Sequence, residues 1–183
     1  MLPSPFVALD WGFAGRSVGT PTHGVWTHEV DSRTRHPERD APDEGDTSPH
    51  PTMEGVTLEK GRMRHPESGE VREYEEAWRG VEVSAVRGER VSVVLEMEMA
   101  ASEERGVIVR VGQFCQGIVR VGDEIVVERW VWSDKEDVWA RAARIGDAAA
   151  TLPCDATWAE TVREGDKIAR DGFVWSVTAA KAW

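Results

Sequence analysis

Ile108-Val109-Arg110-Val111-Gly112 recurs letter for letter as Ile118-Val119-Arg120-Val121-Gly122, and this repeat decides the fold. Each copy is an apolar run closed by glycine, and turns spaced by about 8–12 residues mark an antiparallel meander. The pattern extends in both directions. Val91, Val93, Leu95, Met97 and Met99 alternate with Ser92, Glu96 and Glu98, as in a strand with one face in a core. On the far side, Gly122-Asp123 breaks the chain before Glu124 to Trp132, a segment rich in Val and Trp. Asp171-Gly172 separates Lys167 to Arg170 from Phe173 to Val177, and this dipeptide supplies the positive φ angles of a tight hairpin. One short helix is expected over Trp158 to Arg163, capped by Asp155 and ended by Gly165.

The 183 residues contain 24 Val against 5 Leu, and Val favours strands because its branched Cβ restricts χ1. Eighteen of those valines follow Gly80, so residues 81–183 read as a self-sufficient all-β domain, an antiparallel barrel of about eight strands. Closing the sheet would remove its two exposed edges. Residues 1–80 read as an incomplete domain of similar kind. Leu58-Glu59-Lys60-Gly61, Gly69 and Trp78 loosely parallel Val162-Arg163-Glu164-Gly165, Gly172 and Trp175, and Val71 to Trp78 is taken as a strand. Within the first half, residues 36–52 hold four of the nine prolines among Asp, Glu, Ser and Thr, which predicts a mobile loop.

The formal charge is −11, which argues against nucleic acid as a partner because phosphate binding draws on Lys and Arg. No run approaches the roughly 20 apolar residues of a membrane helix, and Met1 to Trp11 has no signal-peptide pattern. Two cysteines, Cys115 and Cys154, are too few for a disulfide framework and read as free thiols. With no Asn there is no N-glycosylation site. These features lead to a cytoplasmic protein, present in the nucleus as an alternative.

No catalytic signature, cofactor motif or metal-ligand spacing stands out. All five histidines precede residue 66 while both cysteines follow residue 114, and no CxxC or HxxxH spacing links them. Gly12 and Gly15 lack the pattern of a phosphate loop and suit a close backbone approach. Arg110 and Arg120 are the ligand-pocket candidates. Each shares a strand face with an isoleucine, and an inward orientation would let both guanidinium groups bind a carboxylate or phosphate. Outward arginines are the ordinary alternative. Gln116, Trp130, Trp132 and Trp175 complete the candidate pocket as polar and stacking groups. Thr47 and Ser48 follow Asp43, Glu44 and Asp46, an acidic setting suited to phosphorylation by casein-type kinases.

Trp11-Gly12-Phe13-Ala14-Gly15, Tyr74-Glu75-Glu76-Ala77-Trp78, the stretch from Gly106-Val107-Ile108-Val109 through Gln116-Gly117, and the closing Gly165 to Trp175 segment resemble, in this order, the fungal Hri family. The family takes its name from interaction with a yeast casein kinase I. The resemblance implies two similar lipocalin-like β-barrels in cytosol and nucleus, with no catalytic residues. Family members carry several tens of residues before the first of these motifs, whereas ten precede Trp11, so it also implies a truncated first barrel short of strands.

The leading expectation is therefore a non-enzymatic interaction module of lipocalin-like fold with a protein partner of the casein-kinase type. The second is an intracellular carrier holding a small apolar or acidic ligand in the C-terminal barrel. The third is a barrel isomerase or cyclase. A cavity of about 300–1,000 Å³ would favour the second or third, and a filled interior the first.

Overall fold

The computed structural model describes residues 9–39, 43–65, 68–97, 104–146, 152–159 and 161–183. In chain order the strands are β1 (Phe13–Ala14), β2 (Ser17–Thr20), β3 (His23–Trp26), β4 (Val30–Asp31), β5 (Asp43–Pro49), β6 (Val56–Arg64), β7 (Val71–Arg79), β8 (Val91–Met97), β9 (Glu104–Val111), β10 (Phe114–Val121), β11 (Glu124–Ser133), β12 (Val138–Ile145), β13 (Lys167–Arg170) and β14 (Phe173–Ala182). The fold is all-β and every ladder between β2 and β14 is antiparallel. Among the described residues no helix is long and apolar enough to cross a membrane.

The chain divides into two compact units. The larger gathers Val83–Trp183 with Val30–Arg35 and the described residues up to Phe13, and the smaller gathers Ala14–Glu29 and His36–Glu82. The sequence places the divide at Gly80 and leaves everything before it together; two early segments instead belong with the later strands.

In the larger unit seven strands follow the order β12-β11-β10-β9-β8-β14-β13. The repeat behaves as its glycines require: Gly112 and Gly122, at φ 52° and 57°, turn β9 into β10 and β10 into β11. Asp171 and Gly172 both have positive φ and join β13 to β14 as expected. Leu95, Ile108, Cys115, Val126, Trp139, Trp175 and Val177 come from six strands yet form one buried cluster, so the sheet curls around a single core into a barrel-like form. Met99, expected on the same inward face as Met97, lies outside the described residues.

Closure differs from the expected eight-stranded cylinder. Among the described residues the outer edges of β12 and β13 carry no ladder to each other. A short 3-10 helix, Cys154–Trp158, occupies the connection between them, preceded by Pro153, which has no N–H to give a ladder. Cys154 and Thr157 of this turn are buried, and Leu152 and Cys154 join the core cluster. Among the described residues of the predicted helix over Trp158 to Arg163, none after Trp158 is helical, and the 3-10 turn carries no side-chain cap from Asp155. Its carboxylate instead receives Arg170 Nη2 at 2.9 and 3.0 Å.

The outer face of β10 is covered as well. Arg120 donates to the Asp31 carbonyl at 2.7 Å, Trp11 Nε1 to the Asp31 carboxylate at 3.0 Å, and the Gly12 backbone comes so close to Val127 that a Cβ there would lie 2.9 Å from a methyl group. Hence β10 is buried on both faces from Gly117 to Arg120, which explains the unbroken run of Ile118, Val119 and Arg120 below one-tenth exposure.

The smaller unit is a five-stranded sheet, β2-β3-β5-β6-β7. Val71–Arg79 is a strand, as read from the sequence. The loop expected over residues 36–52 is corrected: residues 37–39 form a 3-10 turn, and Asp43–Pro49 is the central strand, paired with β3 and β6; residues 40–42 lie outside the described set. A ladder needs backbone groups rather than apolar side chains, and Asp43, Gly45 and Thr47 face inward while Glu44, Asp46 and Ser48 are exposed. Gly45 and Gly61 leave room for Tyr74: a Cβ at either would lie 3.2 or 2.5 Å from its hydroxyl oxygen.

Candidate functional site

A cavity of about 600 Å³ lies in the larger unit, with Arg110, Trp132, Trp139, Thr157, Trp158 and Val162 among its lining residues. Strand alternation places Arg110 there. Ile108 and Arg110 share the inward face of β9, and Ile108 is wholly buried in the core while Arg110 reaches the cavity wall. Its side chain is only 5% exposed. Nε donates to the Gly112 carbonyl at 3.1 Å and Nη1 to the Thr157 carbonyl at 2.6 Å. The guanidinium carbon lies 5.1 Å from the centre of the Trp139 ring.

No carboxylate pairs with Arg110 among the described residues. Burial lowers its pKa, and the neighbouring Cys115 opposes that shift. A buried guanidinium held by neutral carbonyls retains a full positive charge and further N–H donors for an anion. The wall beside it is aromatic, and Glu89, Arg163, Glu164 and Lys181 add charge elsewhere on the lining. Trp139 stacks on Trp158 with centroids 5.2 Å apart and planes at 5°, and Trp132 meets Trp139 edge-on at 5.9 Å. Other charges on the lining include Arg87 and Asp137, which pair with each other at 3.2 Å.

Of the residues singled out in the sequence, Arg110 and Trp132 line this cavity. Arg120 does not. Arg110 stands opposite Cys115 on β10, whereas Arg120 stands opposite Arg105. Positions 105 and 110 are an odd number of residues apart, so the two expected anion-binding arginines face opposite sides of the sheet. Arg120 is buried under Asp31, with burial lowering its pKa and the nearby Arg35 adding to the effect. Gln116 shares the face of Arg120 but is itself exposed, and it accepts from Arg129 Nε at 2.8 Å. Trp130 packs edge-on against Trp158 at 5.3 Å and donates to Glu128 at 2.8 Å. Trp175 is a core residue packed so closely on Gly106 that a Cβ there would lie 2.4 Å from its ring.

Thr47 and Ser48 sit on the central strand of the smaller unit, where Thr47 donates through Oγ1 to the Pro21 carbonyl at 3.2 Å and Ser48 is exposed. The same unit holds a polar knot that the sequence does not announce. Tyr74 hydroxyl lies 2.8 Å from Glu59 and 3.1 Å from Asp43, and His28 Nε2 lies 3.3 Å from the other Asp43 oxygen. Burial pushes the Tyr74 phenol well above its ordinary value, and Glu59 and Asp43 push it further. Among the described residues no group of three or more His, Cys, Asp or Glu could hold a metal ion.

Sequence reasoning also missed Thr157 and the buried Glu128, which collects Trp130, Arg141 at 3.2 Å and Arg144.

A model of the Protein HRI1 family matches residues 3–179. Among solved structures the chain is similar to the uncharacterised protein YLR301w of Saccharomyces cerevisiae, at 15% identity and a TM-score of 0.68, over 94% of this chain and 79% of that one. That likeness shows the fold. No curated protein matches. With nearly its whole length matched by the family model and its strands arranged like those of the yeast structure, the chain belongs to the Protein HRI1 family.

Proposed function

We propose that the larger unit is a binding site for a small amphipathic acid, one carboxylate on an apolar or aromatic body, and that the protein acts as a carrier or sensor of such a molecule in the cytosol or nucleus. The observation that carries this reading is Arg110: buried, unpaired with any carboxylate among the described residues, and set in the wall of a cavity of about 600 Å³. That volume lies within the ordinary range for small-molecule sites. A charge-assisted contact of an anion to this guanidinium contributes about 1.5–3 kcal/mol. The tryptophans supply the apolar walls. An isomerase or cyclase would need a titratable group beside a second polar group facing the same space. Arg110 is a cation that holds its proton and orients rather than transfers, which supports binding as the role of this residue. Contact with a casein-type kinase rests on family resemblance and draws on no residue of this cavity.

Native mass spectrometry of the protein isolated from its own cells tests the proposal. A bound species of a few hundred daltons that leaves on Arg110→Gln supports it. An unliganded wild-type protein that also gains nothing from millimolar decanoate or 4-phenylbutyrate would remove it.

A further inference from the structure

Cys115 and Cys154 stand far apart in sequence and reach the core from different elements, β10 and the 3-10 turn after β12, yet they meet there. Both are free thiols with at most 1% of their surface exposed. Their meeting follows from three local facts. Cys115 Sγ lies 3.7 Å from Thr157 Oγ1, and that hydroxyl donates to the Cys154 carbonyl at 2.7 Å. On the same inward face of β10, Gly117 has no side chain, and a Cβ there would stand 3.3 Å from Cys154 Sγ. The glycine thus leaves the place into which the second sulfur is tucked. Both cysteines belong to the one buried core cluster.

The surroundings distinguish the two sulfurs. The neighbouring Cys154 and the Arg110 charge hold the Cys115 thiol below its ordinary value despite burial. Cys154 is pushed up by the same pairing and by burial. Arg110 faces Cys115 across the β9–β10 ladder, which favours this sulfur as the attacking thiolate and leaves Cys154 as the resolving cysteine. Access is short. Thr157, which lies 3.7 Å from the Cys115 sulfur, and Arg110, its cross-strand partner, both line the cavity.

We propose that Cys115 and Cys154 are a peroxide-reactive dithiol that closes to an intramolecular disulfide. In the first step the Cys115 thiolate attacks a hydroperoxide; the O–O bond breaks, sulfur gains a hydroxyl as sulfenic acid, and the alkoxide or hydroxide leaves and takes a proton. In the second step the Cys154 sulfur attacks the sulfenic sulfur, the S–S bond forms and water leaves with the Cys154 proton. The dithiol is oxidised by two electrons and the hydroperoxide is reduced by two. The new bond ties the 3-10 turn to β10, and that turn carries Thr157 and Trp158 of the cavity wall. Oxidation thereby acts on the binding space, although the dithiol chemistry requires no bound ligand.

The test uses the full chain, reduced and then exposed under native conditions to a few equivalents of hydrogen peroxide. Intact mass of the alkylated, denatured product should show two fewer labelled thiols and the loss of two hydrogens, restored by a reductant. Peptide mapping should join Cys115 to Cys154 within one chain. In Cys154→Ser the reaction should stop at Cys115 as a sulfenic acid that dimedone traps, and Cys115→Ser should leave Cys154 unlabelled by dimedone. If either variant does not fold, the wild-type mass and map decide alone. Two thiols that stay fully alkylatable, oxygens added without pairing, disulfides only between chains, or a dimedone adduct on Cys154 in Cys115→Ser would each overturn the proposal.

Discussion

Arg110 and Cys115 face each other across the β9–β10 ladder, both pointing into the core of the larger unit. The pairing places a buried cation that lines the cavity beside a buried thiol of the core cluster.

Gly106 marks how tightly the inward face is packed. A methyl group there would sit 2.4 Å from the Trp175 ring, itself buried in the core. Gly106→Ala should therefore cost about 1–3 kcal/mol through overpacking. Urea unfolding monitored by tryptophan fluorescence checks this, and an unchanged midpoint would mean that the ring moves freely aside.

Leu95 has no exposed surface and sits amid residues from six strands. Leu95→Ala should destabilise the larger unit by about 2–5 kcal/mol, the range for a large aliphatic side chain removed from a packed core. The loss should appear in denaturant unfolding of that unit. A cost under about 1 kcal/mol would contradict a single core shared around the curled sheet.

The chain has one tyrosine, so Tyr74 can be titrated directly by absorbance near 295 nm. Burial first, and then Glu59 and Asp43, raise its pKa in the folded state, so the folded protein favours the neutral phenol. That stabilisation is fully present below the unfolded value of about 10 and is lost as pH rises toward the folded value. Tyrosinate should thus stay absent at pH 10.5 while the smaller unit is folded, and emerge with its unfolding. Half-ionisation near pH 10 in a folded protein would contradict the Tyr74–Glu59 bond. Tyr74→Phe should cost about 1–3 kcal/mol by leaving Glu59 without its donor.

The backbone of the larger unit was legible because its turns and its alternation agree. Gly112, Gly122 and the Asp171-Gly172 pair each take the positive φ that their residue types announce. β5 was not legible, because Asp43 to Pro49 carries its order in backbone ladders to both neighbours and its composition is that of a loop. The site divides in the same way. Alternation alone could say that Arg110 and Ile108 share a face, but not which face is inside. The register that sends Arg120 to the opposite side is a pairing between strands, and it becomes visible only once β9 and β10 are aligned. The convergence of Cys154 and Thr157 on Cys115 depends on a 3-10 turn that joins the core cluster, a long-range packing event with no local signature.

Equilibrium binding of an acid and its neutral amide tests the central claim most directly. Decanoate and 4-phenylbutyrate should quench or shift the tryptophan emission of the wild-type protein and bind at least about tenfold more tightly than decanamide and 4-phenylbutyramide, the least expected of a charge-assisted contact. Arg110→Gln should erase the difference between acid and amide while Arg120→Gln should keep it. Equal binding of acid and amide by the wild-type protein, or an acid preference that survives Arg110→Gln, would contradict the account.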